Sequence, residues 1–418
     1  MQTTAQANVQ TLVILRADGR LEDEGILETR AAEVARVSRT GSIKRTGTTW
    51  GFVVDVGRKD GRRQQVRKRG FRTRKDAQTA LNEALAELQH GAFVRPRRIT
   101  LGSYLTGWLA GLAIAGRRPT TIAGYRRLIR IHVEPGLGDI PIQDVNASDL
   151  DRLYAQLAAV GSPDGCGPLS NRSIRYVHAV IGKALHDAER KGLVPRNVAR
   201  LASPPSSSSA RAPEMKVWTP AQLRAFLEFV SGSRHAPMIR LAAMTGLRRA
   251  ELCGLRWQDI ELDKARLVVR QSITTVDHHT VIGDVKTVRS RRVIDLDANT
   301  VSVLRAQRTN QLHERLRAGP TWNDSGLVFT MADGQGWHPD VISRAFTRLV
   351  EKSGLPRIRL HDLRHTHATH LLAASTNVRV ASERLGHASV AFTLDVYGHV
   401  LPGQQADAAA AVAALVDQ

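Results

Sequence analysis

Trp50, Phe52, Val54 and Val56 alternate with polar or small residues, the two-residue period of a half-buried strand. Asp60-Gly61 after them is a hairpin-turn pair, and the next strand-like stretch, "RRQQVRKR", is almost wholly basic. Thr73 and Asp76 then have the spacing of a capping box, and Ala77, Ala80, Leu81, Ala84, Leu85 and Leu88 form one helical stripe. Three strands and a helix are therefore expected over 41–92. From Thr100 to about Val198 the period becomes helical. Leu101, Leu105, Trp108, Leu109 and Leu112 mark the first helix, and Ile122, Tyr125, Leu128 and Ile129 the second, starting at Thr120. Leu150, Leu153, Tyr154 and Leu157 follow Ser148. Ile174, Val177, Ile181 and Leu185 follow Ser170, and Gly192 ends that helix.

"LASPPSSSSARAPE" carries no apolar period and reads as a flexible linker. A capped helix opens the last part at Trp218-Thr219-Pro220. There "ARLVVRQS" and "RRVIDL" are strand-like, and "VIGDVKTVRSRRVIDL" reads as a β-hairpin with Lys286 at its turn end. The remainder is mainly helical, closing on the Ala-rich "DAAAAVAALV", and no internal repeat is present. The fold class expected is multidomain α+β: a small three-stranded sheet plus helix, a helical bundle, and a mixed, mainly α domain with a small antiparallel sheet. The boundaries expected are an extension of no assigned role at 1–40, possible disorder included, a sheet-and-helix module at 41–92, a helical domain at 97–198, a linker at 199–216, a third domain at 217–405 and a tail helix at 406–418.

Charge sharpens this outline. The 418 residues carry 60 Lys+Arg against 39 Asp+Glu, a net +21, which in a folded protein points to a polyanion, most often nucleic acid. The excess is concentrated: residues 41–75 hold twelve Lys/Arg and two Asp, whereas 1–40 are slightly acidic. A positive sheet face of this kind suits a DNA groove. Arg126, Arg127 and Arg130 lie off the apolar stripe of their helix and give the bundle a basic side. Two cysteines, Cys166 and Cys253, exclude a disulfide framework or a Cys-rich zinc site. Without a signal-like start or a membrane-length apolar run, the chain reads as cytoplasmic or nucleoid-associated, with no membrane partner.

"HDLRHTHATHLL" concentrates candidate chemistry. His361 and His365 stand four apart as in a zinc-binding helix, but the glutamate of that motif is missing and Arg364 would repel a metal. An arginine fork beside a histidine suits an oxyanion better. His367 and His370 read as scaffold. In "MTGLRRAELCGLRW", Glu251 stands three residues after Arg248, the spacing that holds a guanidinium in place. Lys286 is the sole lysine between Lys264 and Lys352 in a stretch rich in arginine, and an ammonium can give up a proton where a guanidinium cannot. "LGHASVAFTLDVYGHV" adds His387 and Tyr397.

In that order, Arg, Lys, His-x-x-Arg, His, Tyr, the motifs closely resemble the tyrosine recombinase (phage integrase) family. The resemblance covers about 41–405: "TGLRRAEL" is similar to the first arginine box, "HDLRHTHATHLL" to the second, and "LGHASVAFTLDVYGH" to the nucleophile box. The basic module is similar to the AP2-like, arm-binding domain of larger integrases, and 97–198 to the SAM-like core-binding domain. The resemblance implies a site-specific recombinase that integrates or excises a mobile element through a 3′-phosphotyrosine ester, with no metal, ATP or other cofactor. Tyr397 would be the nucleophile, and Arg248 and Arg364 the phosphate clamp. His361 would take the tyrosine proton, His387 would bond the phosphate, Lys286 would protonate the leaving 5′-oxygen, and Glu251 would support the site. Double-stranded DNA is the partner expected, bound by a homotetramer with a host bending factor or excisionase. Lys44, Arg45, Arg62, Arg63, Arg67, Lys68, Arg69, Arg126, Arg127 and Arg130 are the DNA contacts expected. The rivals are a catalytically idle DNA-binding regulator, a resolvase or type IB topoisomerase, and a metal-dependent nuclease, for which no carboxylate cluster is visible.

Overall fold

The computed structural model describes residues 41–59, 62–89, 98–161, 167–211, 215–284, 291–374 and 376–397, with 409 and 412–414 near the end. The 1–40 extension, the Asp60-Gly61 turn, Cys166, Lys286 and most of the tail lie outside the described residues. Two compact units emerge. One comprises the described residues to 101 with 139–150 and 181–202, and the other 102–138, 151–180 and 203 onwards. Among the described residues no helix is long and apolar enough to cross a membrane.

Strands β1 (Gly41–Thr46), β2 (Thr49–Lys59) and β3 (Arg62–Phe71) form an antiparallel sheet in the order β1-β2-β3. Helix α1 (Arg74–Gln89) covers one face, where Phe52 and Val54 meet Leu81, Ala84 and Leu88. The expected capping box forms: the Asp76 amide donates to Thr73 Oγ1 at 3.1 Å, and the Thr73 amide to Asp76 Oδ2 at 3.3 Å. Thr73→Ala removes this cap and should cost about 1 kcal/mol. Faster hydrogen exchange confined to residues 74–89 of the full chain would show it, and unchanged exchange there would refute it.

The helical segment holds α2 (Leu101–Ile114), α3 (Pro119–Leu128), the single turn α4 (Glu134–Leu137), α5 (Ala147–Ala159) and α6 (Asn171–Arg190). A π-helical turn at Ile129–Val133 joins α3 to α4. The stripe leucines Leu101, Leu105, Leu150, Leu157 and Leu185 are buried, and Gly192 takes φ 63° after α6. Serine- and proline-rich as it is, the linker is not a free tether. Arg175 Nη1 donates to the Pro205 carbonyl at 2.7 Å, and Asn171 Nδ2 to the Ser209 carbonyl at 3.4 Å.

From Trp218 onward one core is built. Helices α7 (Pro220–Phe229), α8 (Ala236–Thr245), α9 (Arg249–Cys253), α10 (Ala298–Ala318) and α11 (Pro339–Ser353) gather around a small sheet. That sheet comprises β4 (Ile260–Glu261), β5 (Arg266–Val269) and β8 (Arg292–Asp295). The Thr219–Gln222 capping box starts α7, and Trp218 packs on Phe226 at 4.7 Å. The hairpin expected across Lys286 is corrected. Strand β7 (His279–Asp284) pairs with β6 (Gln271–Val276), while β8 pairs with β5. Asp277 and His278 both take positive φ, 46° and 67°, which makes the β6–β7 connection the tight turn that hairpins favour. Helices α12 (Asp362–Ala373), α13 (Val378–Leu385) and α14 (Val390–Tyr397) complete the domain.

Candidate active site

Two helices end in left-handed glycines, and their turns hold the two boxed arginines. Gly246 closes α8 at φ 64° and Gly386 closes α13 at φ 66°. Positive φ and close packing both demand glycine at 246: a Cβ there would lie 2.7 Å from Leu385 Cδ2. The freed carbonyls face guanidinium groups. Arg364 donates from Nη1 to Gly246 O at 2.7 Å and from Nη2 to Leu385 O at 2.6 Å, and Arg248 donates from Nη2 to Gly386 O at 2.9 Å. Arg364 is 3 % exposed, and Arg248 keeps a partly open side chain. Backbone oxygens thus orient both cations without neutralising either.

One carboxylate holds two arginines here, with a third close by. Glu251 accepts from Arg248 Nη1 at 2.8 Å, as the three-residue spacing predicts, and also from the Arg248 amide at 2.9 Å. It accepts from Arg292 as well, Nη2 to Oε2 at 2.9 Å and Nη1 to Oε1 at 3.2 Å. Burial pushes the Glu251 carboxyl up, but the Arg292 hydrogen bonds and the Arg292 and Arg248 charges outweigh it and hold it at about 2. Arg364 feels the same crowd: burial and Arg248 lower its pKa against the pull of Glu251, and Arg292 lowers it further. The three guanidiniums outnumber the one carboxylate, so the site carries positive charge that an incoming anion can meet.

Sequence reasoning passed over Arg292. It occupies an inward position of β8, in line with Ile294 and Leu296, and all three are buried. A charged residue in register with an apolar strand face was the signal available.

The Tyr397 ring is 1 % exposed, packed with Ala368, Leu372, Ala381 and Leu385. Its hydroxyl lies 2.6 Å from His365 Nδ1, so the histidine on the tyrosine oxygen is His365 and not His361 as expected. The reason is helical: His361 immediately precedes α12 and is exposed, while His365 lies a turn further in and is half-buried. The two imidazoles meet edge to face at 5.1 Å. Burial pushes the Tyr397 phenol up to about 12, against the pull of Arg364. His387 stacks on the Tyr397 ring at 6.2 Å and 7°, with its Nδ1 2.8 Å from Thr393 Oγ1. Desolvation and the arginines Arg364, Arg248 and Arg292 hold His387 down at about 3. Desolvation, then His365 and Arg364, hold His361 at about 4, although that residue keeps solvent on one side. Both imidazoles are neutral at pH 7. His367 accepts from Arg384 Nε at 3.3 Å, and His370 Nε2 lies 2.9 Å from the Trp218 carbonyl, so both are tied into the packing.

Arg248, Glu251, Arg364, His361, His387 and Tyr397 therefore converge, joined by Arg292 and His365. Lys286 cannot be placed, being outside the described residues. Among the described residues no group of three or more His, Cys, Asp or Glu could hold a metal ion. A cleft of about 610 Å³ lined by Arg234, His235, Arg240, His313 and Trp337 includes none of the converging residues.

The basic residues of the sheet divide between its faces. Lys44 and Arg69 are both in register with Gly51, and Arg67 with Val53, on the face opposite α1; all three are exposed. Arg45 and Lys68 instead lie over the Trp50 and Phe71 rings, each at 6.0 Å. The side chains of Arg62 and Arg63 are not among those described. Arg126, Arg127 and Arg130 are exposed, and Arg126 pairs with Asp277 at 2.9 Å.

Comparison with known proteins agrees along the chain. The profile of the phage integrase family matches residues 216–403, that of an arm DNA-binding domain 42–88, and that of the phage integrase N-terminal SAM-like domain 100–158. An integrase of Streptomyces ambofaciens is 31 % identical over 351 residues, covering 80 % of this chain and 85 % of that protein. A XerC-like tyrosine recombinase of Caldanaerobacter subterraneus subsp. tengcongensis is 26 % identical over 387 residues, covering 88 % and 97 %. Among solved structures, the Tn1549 transposon integrase in complex with a circular intermediate DNA has the same fold. Its TM-score is 0.60 at 22 % identity, over 72 % of this chain and 95 % of that one. The chain belongs to the phage integrase family, and it is an enzyme of that family's tyrosine recombinase class, acting in site-specific recombination of phage or other mobile elements.

Proposed function

We propose that this recombinase cuts and rejoins double-stranded DNA with Tyr397 as nucleophile, forming a 3′-phosphotyrosine ester and releasing a 5′-hydroxyl. The observation that carries this is the surplus of guanidinium around one carboxylate beside a buried tyrosine hydroxyl. A phosphodiester entering there gains Arg248 and Arg364 on its non-bridging oxygens, where charge builds up in the transition state. Each neutral histidine retains one N–H, and His387 and His361 use theirs on the same oxygens. Lys286 protonates the leaving 5′-oxygen. The ester conserves the energy of the broken bond, so rejoining needs neither ATP nor a metal cofactor. A homotetramer on two duplexes suits exchange of strands in pairs, with a host bending factor or excisionase setting direction. The test is a supercoiled plasmid carrying the DNA that flanks the protein's own gene, incubated in EDTA and run on a denaturing gel. A covalent protein–DNA adduct is expected. Binding without an adduct on every flanking fragment, nicked ones included, would favour the idle regulator.

The open face of the sheet is the second DNA surface in this reading, with Lys44, Arg67 and Arg69 on phosphates. Replacing all three with alanine should weaken binding and reduce the slope of log K against log salt by about 2 to 3. An unchanged slope would move DNA binding off this face.

A further inference from the structure

We propose that His365 is the group that takes the proton from Tyr397 as its hydroxyl attacks phosphorus, a role that rests on the reading of Tyr397 as nucleophile. Geometry comes first: His365 Nδ1 lies 2.6 Å from the hydroxyl oxygen, within reach for direct transfer. Burial comes second. Tyr397 is 1 % exposed, so bulk water has little access to the phenol and His365 is the acceptor already in place. His365 itself is half-buried and touches the exposed His361 edge to face, so it stands between the buried phenol and the open side of the site. Its place next to Arg364 on α12 matters too, because one rigid helix then carries both the base and a phosphate clamp.

The step balances. The Tyr397 Oη–H bond breaks and its proton goes to His365 Nδ1, while Oη forms the new bond to phosphorus. The bond from phosphorus to the 5′-oxygen breaks, and that oxygen takes a proton from a separate donor, Lys286 in the reading above. On rejoining, each proton returns. His365 must start neutral with Nδ1 unprotonated. Desolvation, then Arg364 and Arg359, lower its pKa against the opposing pull of Asp362, which favours the neutral ring. His361 and His387 also face it. His361 is left free for the phosphate.

Two measurements test the assignment. Nitrogen-15 NMR of histidine-labelled full-length protein at neutral pH reads the tautomer, and an unprotonated Nδ1 on His365 is expected; a protonated one overturns the proposal. The second is the single-turnover rate of adduct formation on a nicked flanking duplex that the wild type cleaves. His365→Asn keeps an acceptor near the position of Nδ1 but no base, and should slow the reaction by roughly 10²-fold or more. Placing 3,5-difluorotyrosine at 397, whose phenol is more acidic than that of tyrosine and so depends less on a base, should recover most of that loss. It should recover little in Arg364→Lys, which still has its base. His365→Asn at the wild-type rate, or a loss that fluorination leaves intact, would overturn the proposal and make His365 a packing residue. An adduct formed by Tyr397→Phe would instead overturn the nucleophile, a separate result.

Discussion

Tyr397→Phe is expected to form no covalent protein–DNA adduct at all, while folding and DNA affinity stay close to those of the wild type. The substitution removes one oxygen. The ring remains in its apolar pocket of Ala368, Leu372, Ala381 and Leu385, so no cavity is created. Among the described residues the hydrogen bond lost is the 2.6 Å one to His365, which is half-buried and can turn to water, a cost on the order of 1 kcal/mol. Against that small change in stability stands complete loss of the oxygen proposed to attack. Neither Arg248 nor Arg364 can supply a replacement, since a guanidinium stays protonated at working pH. The adduct gel and a parallel binding titration separate these effects. A persistent adduct would mean that another residue attacks; lost binding would mean that the hydroxyl supports the fold more than its single bond suggests.

Glu251→Gln should give the largest loss of stability. The carboxylate is 5 % exposed and holds Arg292, itself 8 % exposed, through two bonds, together with Arg248 through its side chain and its amide. Removing one partner from a buried pair leaves an uncompensated charge, at about 3 to 5 kcal/mol. An amide cannot substitute, because its nitrogen would point a donor at a donor. The pH dependence has a definite sign. The folded carboxyl is held at about 2, below its ordinary value near 4.5, so its contribution is present in full above that ordinary value. It is lost as pH falls towards 2, and amounts to about 3 kcal/mol by linkage. The gap in unfolding free energy between wild type and Glu251→Gln should therefore narrow as pH is lowered through that window. A gap that stays constant there would show that the charge on Glu251 is not what stabilises the fold.

Local pattern alone determined much of this protein. The Thr73–Asp76 and Thr219–Gln222 caps, the leucine stripes of the helical segment and the Arg248–Glu251 pair each involve residues three or four apart, so their spacing already contains their geometry. The ordered set Arg248, Lys286, His361, Arg364, His387 and Tyr397 was legible through its resemblance to the motif boxes of the tyrosine recombinase family. What remained hidden depended on contacts between residues distant in sequence. Arg292 meets Glu251 across 41 residues, and Arg364 meets the Gly246 carbonyl across 118. Periodicity says which face of an element is buried and is silent about what meets that face. The same reason explains why β7 pairs with β6 and β8 with β5, against the hairpin expected across Lys286: strand pattern gives no partner, and the Asp277-His278 turn decides the pairing. His365 was visible as a histidine four residues after His361, but its place on the Tyr397 oxygen follows only from the packing of α14 against α12. The sequence by itself determined the family and its class of chemistry; the tertiary structure decided which guanidiniums share the Glu251 carboxylate and which imidazole meets the Tyr397 hydroxyl, because charge balance and hydrogen bonding depend on distances that close only when remote segments pack.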